Sequence, residues 1–245
     1  MKIAYLISGH VKQFEKCKNS HKKILNMLDE HEVDCFISTY ENDGILKNGT
    51  KFHDIRDKND FDNTSGNNID VKDIVNFFLP KLLEVESYTE YSLKIPESYK
   101  NIVTGNNSSF FHITRLYKKI LDSIRLMERY EEENGIVYDF FIRNRFDLLI
   151  NIDKFDFDGK LRGINSSNDF HDVFFYGNRI NLNKLKNINE FLLNLKKNAI
   201  NILNESKYEF VRIPYHNSEQ LLTEFLKENN VPFVTEKWSA EILRK

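Results

Sequence analysis

Cysteine is nearly absent from this 245-residue chain: Cys17 and Cys35 are the only two. Two thiols form neither a disulfide framework nor a metal-ligand spacing, so both read as reduced core residues. The seven histidines show no HxH or HExxH arrangement, which argues against a zinc site. No GxSxG elbow and no cysteine–histidine signature for acyl transfer is present. Glycine and proline are scarce, at nine and four residues, beside abundant asparagine, lysine and isoleucine, a skew expected of an AT-rich coding sequence. The few glycines build no GxGxxG and no P-loop, which argues against a dinucleotide or Walker-type site. Charge of one sign is also missing. The formal net charge is −2, so no global field draws the chain to nucleic acid or anionic lipid, and phosphate binding must come from a local cluster. No run approaches the roughly 18 to 20 apolar residues of a membrane helix. The apolar stretch within Met1–Gly9 is too short for a signal-peptide hydrophobic region, and no cleavage pattern follows it. A cytoplasmic protein is the expectation.

What the chain does contain is an alternation of strand and helix patterns. Ile3–Ile7 is a continuous apolar run ending in Ser8-Gly9, the pattern of a buried parallel strand entering a tight loop. Phe14, Cys17, His21, Ile24, Leu25 and Leu28 follow at helical spacing, and Val33–Thr39 reads as a second strand, completing a βαβ unit. Val71–Phe78 reads as a helix and Leu82–Tyr88 as a strand. A long helix places Ile113, Leu116, Tyr117, Ile120, Ile124 and Met127 on one face, with Ser108 or Ser109 as N-cap. Strands are expected over Tyr138–Ile150, Asp172–Gly177 and Val231–Thr235, and helices over much of Leu182–Leu203 and over Ser218–Glu228. Residues 41–70 and 92–108 lack a period and read as irregular insertions. No internal repeat or composition break marks a boundary. The expectation is a single α/β domain with a mostly parallel, Rossmann-like central sheet flanked by helices.

The most informative segment is Tyr138-Asp139-Phe140-Phe141-Ile142-Arg143-Asn144-Arg145-Phe146-Asp147-Leu148-Leu149-Ile150. In a strand, residues two apart share a face, so Arg143, Arg145 and Asp147 would project to one side. Two cations and a carboxylate on a buried face are expensive to desolvate without partners. A polyphosphate and a divalent cation would suit; an internal salt-bridge network would suit as well. Position favours a ligand, because open α/β sheets bind at the carboxyl ends of their strands. The turn Ser8-Gly9-His10-Val11-Lys12 occupies such an end and reads either as an ordinary turn or as a receiver of a base or diphosphate. Asp172 opens its expected strand and is a candidate general base or a plain strand residue. Glu219 falls in the first turn of the last helix, where helix-dipole stabilisation is a sufficient structural role and catalysis a competing one.

Taken in order, these features resemble a glycosyltransferase-like family of large DNA viruses and bacterial surface-polysaccharide clusters, with a GT-A-type fold. The motifs that carry the resemblance are Ile7-Ser8-Gly9-His10-Val11-Lys12, Asp34-Cys35-Phe36-Ile37-Ser38-Thr39, Tyr138 through Asp147, Asp172 through Gly177, and Glu219 opening a late helix. The resemblance implies sugar transfer from a nucleotide-diphosphate sugar donor to a hydroxyl acceptor on a glycan or related molecule. It implies donor binding by Ser8, Gly9, Lys12, Arg143, Arg145 and Asp147, and acceptor deprotonation by Asp172, with Glu219 second. In GT-A enzymes an Asp-x-Asp motif holds a divalent cation against the diphosphate; here Arg145-Phe146-Asp147 stands there. Asp147 alone binding Mg²⁺ or Mn²⁺ and direct neutralisation by the two arginines are the alternatives. Residues 41–70 and 92–108 would form the acceptor side or a lid. A nucleotidyltransferase and a non-catalytic nucleotide- or carbohydrate-binding protein are the rival readings.

Overall fold

The computed structural model describes residues 1–11, 13–41, 69–87, 101–105, 110–167, 169–205 and 210–243. In chain order the elements are β1 (Lys2–Gly9), α1 (Phe14–Asn26), β2 (Glu32–Tyr40), α2 (Val71–Phe78), β3 (Leu82–Glu86), β4 (Ile102–Val103), α3 (Phe110–Asn134), β5 (Phe140–Asn144), β6 (Leu148–Asn151), β7 (Leu161–Ser166), β8 (Asp169–Asn178), α4 (Arg179–Leu185), α5 (Ile188–Glu205), β9 (Val211–Arg212), α6 (Ser218–Glu228), β10 (Phe233–Glu236) and β11 (Ser239–Ile242). Seven strands form one sheet in the order β10-β7-β8-β5-β1-β2-β3. Within it β8 runs against both of its neighbours, and the remaining pairings are parallel. The architecture is the expected α/β one, with a mostly parallel sheet flanked by helices.

The apolar runs of the inner strands follow from burial on both faces. Along β1, Ala4 and Leu6 join a cluster with α3, α4, α5 and α6, while Ile3, Tyr5 and Ile7 join a second cluster with α1 and α2. Chain connections leave β1 toward β2 on one side, whereas β5 lies on its other side. That reversal is a topological switch point, and the crevice outside its carboxyl ends is the usual ligand position. Gly9 ends β1 there and Asn144 ends β5, with Ile7 opposite Asn144.

Several boundaries differ from the sequence reading. The stretch Tyr138–Ile150 is not one strand: β5 ends at Asn144, a turn follows, and β6 pairs antiparallel with β11 in a separate two-stranded sheet. Asp172 is the fourth residue of β8 rather than the first of its strand. The stretch Leu182–Leu203 is broken at Lys186-Asn187 into α4 and α5. Strands β7 and β11 had no sequence signal, and β4 falls inside a segment expected to be irregular, where it pairs with β9. The expected N-cap residues Ser108 and Ser109, and most of the insertions at 41–70 and 92–108, lie outside the described residues. Among the described residues no helix is long and apolar enough to cross a membrane.

Candidate active site

The end of β5 divides its side chains between the two cores. Arg143 takes the face of α3 and α6, 6.0 Å from the Phe175 ring, and is 1% exposed. Asn144 takes the opposite face, where its Oδ1 accepts the Arg145 backbone N–H at 2.7 Å and ends the strand. Phe146 then enters the α1–α2 cluster and is fully buried. As a result the three charges do not line one strand face as the spacing predicted. Arg145 folds back onto Asp147 instead, with Nε donating to Oδ1 and Nη2 to Oδ2, both at 2.8 Å. This bidentate pair is the strong form of ion pairing. It engages both oxygens of a carboxylate that is 2% exposed, so a cation at Asp147, the metal-ligand role that the resemblance implies, would have to share that carboxylate with Arg145.

Arg143 is under-satisfied. Its Nη1 donates to the Val173 carbonyl, but its buried Nε and Nη2 meet no hydrogen-bond partner among the described residues. Burial, and then repulsion from Arg145, push its guanidinium down to about 9, against the attraction of Asp172 and Asp147. Arg145 moves the other way. Burial opposes its charge, but the Asp147 carboxylate prevails and raises it.

Two more elements deliver carboxylates to the same place. β8 runs antiparallel to β5 with Phe175 opposite Arg143, so Asp172 lies beyond the carboxyl end of β5. Helix α6 is started by Asn217, whose side chain accepts the Gln220 N–H at 2.8 Å. It is fixed to β8 by the Phe170 N–H donated to Thr223 Oγ1 at 2.7 Å, and to α3 by the Tyr117 hydroxyl donated to the Ser218 carbonyl at 2.9 Å. Glu219 in its first turn thereby meets Asp172 across His171. The imidazole Nδ1 lies 3.5 Å from Asp172 Oδ1 and 3.7 Å from Glu219 Oε1. One ligand atom from each of the three lies within 4.8 Å of the others, a group able to hold a cation.

The two carboxylates titrate in opposite directions. For Asp172, burial acts upward, but His171, Ser218 and Arg143 outweigh it and hold the group below its ordinary value. For Glu219, burial and then the Asp172 charge act together and raise it. Environments that separate two neighbouring carboxyls in this way are a signature of acid–base division of labour.

At the end of β1, Gly9 has φ +115°, a conformation that L side chains rarely adopt. Its carbonyl accepts the Thr39 hydroxyl at 2.8 Å, while Ser8 Oγ is buried with no partner among the described residues. Lys12 lies outside the described residues. Sequence reasoning missed the neighbours of this turn. His10 packs in a tilted arrangement against Tyr40 with centroids 4.6 Å apart, and Arg115 and Lys119 lie over the Tyr40 ring at 5.1 and 4.4 Å. Arg115 and Lys119 are buried in α3, but at helical spacing they fall off the apolar face of that helix, so the sequence carried no signal for them. His171 and Tyr117 were also missed as site residues, and no local pattern marked them.

No protein-family model matches the chain, and no curated protein matches it in sequence. Among solved structures it is similar to a glycosyltransferase involved in the glycosylation of the major capsid of PBCV-1, at 10% identity and TM-score 0.38, covering 97% of this chain and 83% of that one. It is similar to a nucleoside-diphosphate-sugar pyrophosphorylase from Vibrio cholerae RC9, at 8% identity and TM-score 0.35, covering 96% and 91%. It is also similar to the apo-form glycosyltransferase GlyE of Streptococcus pneumoniae TIGR4, at 9% identity and TM-score 0.33, covering 95% and 44%. At this distance the likenesses assign no residue.

Proposed function

We propose that the chain transfers a sugar from a nucleotide-diphosphate donor to a hydroxyl acceptor. The observation that carries this reading is Arg143, buried at the carboxyl end of β5 with two donor nitrogens that have no partner among the described residues. A buried guanidinium is costly until an anion meets it, and its planar fork matches the oxygens of a diphosphate. Arg145 adds a second cation from a partly exposed position. Ser8 and Gly9, at the neighbouring end of β1, and Lys12 complete the expected donor side.

In the transfer the acceptor hydroxyl gives its proton to a carboxylate while its oxygen bonds the anomeric carbon. The bond from that carbon to the diphosphate oxygen breaks, and the electron pair leaves on the diphosphate. Arg143 and Arg145 meet the charge that grows there. For an inverting transfer the electrostatics favour Glu219 as the base over Asp172, reversing the order drawn from the sequence. Glu219 is partly exposed and its affinity for a proton is raised, whereas Asp172 is buried and lowered. Asp172 then serves to hold His171 and to balance Arg143.

Asp147 is engaged by Arg145, and the chain's own residues carry these steps. Among the described residues, His171, Asp172 and Glu219 form a group that could hold Mn²⁺ or Mg²⁺, where a cation would supply further positive charge. The test is a thermal-shift panel of nucleotide sugars with and without Mn²⁺, since a ligand that binds only the folded state raises the melting temperature. At least one donor is expected to shift it without metal. A shift seen only with Mn²⁺ moves the assignment to the three-residue group, and no shift under either condition sinks the donor site. Glu219→Gln should keep the shift and lose transfer by roughly a hundredfold or more. A parent protein that binds donors but neither transfers nor hydrolyses them is the non-catalytic alternative.

A further inference from the structure

A closed ring of hydrogen bonds lies beneath the Arg145–Asp147 turn, on the sheet face opposite Arg143. The Arg145 N–H donates to Asn144 Oδ1 at 2.7 Å, and Asn144 Nδ2 donates to the Tyr5 hydroxyl oxygen at 2.6 Å. Tyr5 Oη lies 3.0 Å from His21 Nδ1, and His21 Nε2 lies 3.4 Å from the Phe146 carbonyl oxygen. The polarity of the ring is fixed at one point, because a carbonyl only accepts. His21 Nε2 must therefore carry the proton, its Nδ1 accepts from the Tyr5 hydroxyl, and Tyr5 in turn accepts from Asn144. We propose that His21 and Asn144, bridged by the Tyr5 hydroxyl, are positioning residues that hold the turn carrying Arg145 in the geometry needed to bind the donor diphosphate.

Three observations support this over an ordinary polar cluster in the core. The ring begins and ends on the turn itself, at the amide of Arg145 and the carbonyl of Phe146. All three side chains are completely buried beside Phe14, Phe78 and Phe146, where polar groups are retained only when they are fully paired. The turn is also tied on its far side, where the Leu243 N–H donates to the Asp147 carbonyl at 2.9 Å. Burial pushes the His21 imidazole down to about 4, which keeps it neutral and the ring's polarity intact.

The inference rests on the donor-site reading, so the test separates the two. Inorganic pyrophosphate is the calorimetric probe, applied to the parent, His21→Phe, Asn144→Ala and Tyr5→Phe. Phenylalanine retains the ring contacts of His21 with Phe14, Phe77 and Phe78 but cannot donate to Phe146, and Asn144→Ala cuts the ring at its other end. Each should weaken pyrophosphate binding by about tenfold, as lost outer partners of a binding group typically do. Tyr5→Phe should retain most of the affinity, because Asn144 Nδ2 is already 3.3 Å from His21 Nδ1 and can close the gap directly. Loss of a core hydrogen bond alone predicts no such contrast. Independently, the ¹⁵N spectrum of the parent's histidines should show His21 as the neutral Nε2–H tautomer. An Nδ1–H tautomer, or unchanged binding in both His21→Phe and Asn144→Ala, overturns the positioning role while the donor site stands. A parent that does not bind pyrophosphate removes the donor site and this role together.

Discussion

Arg143 and Arg145 are two residues apart, yet their energetics have opposite signs. Arg143 has one backbone acceptor and two buried nitrogens without partners among the described residues, which leave its charge incompletely compensated. Such a residue costs stability and persists where an absent ligand completes it. Among the described residues Arg145 is the only side chain paired with the buried Asp147 carboxylate, and removing it strands that charge. We therefore expect Arg143→Met to leave unfolding free energy unchanged or to raise it by roughly 1 to 3 kcal/mol, while abolishing pyrophosphate binding. Arg145→Met should lower stability by roughly 2 to 4 kcal/mol, less than a fully buried pair would because Arg145 keeps solvent contact. Urea unfolding of both variants reads the difference. A destabilised Arg143→Met would mean that the guanidinium is a structural member of the core.

Elements with a strong period were legible, and those defined by their neighbours were not. Helix α6 is marked by its N-cap Asn217, an acidic first turn and an apolar face of Leu221, Leu222, Phe225 and Leu226, and its limits match the expectation. Its cap also positions Glu219 two residues on. Asn217→Ala should cost about 1 kcal/mol of stability and lower turnover more than it weakens donor binding. Chemical unfolding and a comparison of kcat with the donor's KM read the two effects. The strand read across Tyr138–Ile150 failed for a definite reason. Apolar residues continue through the break, and a pattern of hydrophobicity cannot register that Asn144 bonds the next backbone amide or that Phe146 belongs to the other core. Strand β7 carries Gly163 where Phe170 packs, and β11 is largely exposed, so neither resembles a buried strand in sequence. Much of the site was visible as charged residues at the expected strand ends. His171, Tyr117 and the ring under the turn were not, because their partners are distant in sequence.

At the scale of the whole molecule, the sheet separates two polar systems by its two faces. The carboxylates and Arg143 lie on the side of α3 and α6, and the Tyr5–His21–Asn144 ring lies within the α1–α2 core. The second system makes the fold sensitive to acid. The His21 imidazole is about 4 in the folded chain against an ordinary 6.5. Below about 6.5 the unfolded chain takes up a proton that the folded chain refuses, so this residue's contribution is complete above that pH and disappears as pH falls toward 4. Over that window the difference amounts to roughly 3 kcal/mol. Glu219 has the opposite sign, since its raised affinity for a proton stabilises the fold at low pH and ceases to do so as pH rises. Glu219 and the other shifted groups are common to the parent and His21→Phe, so the difference between the two proteins isolates the histidine. The parent is expected to be the more stable near pH 7.5, with its advantage shrinking by roughly 3 kcal/mol by about pH 4. Urea unfolding of both proteins at about pH 7.5, 5.5 and 4 measures this. A constant gap across the three would show that His21 titrates normally, and hence that water reaches the ring.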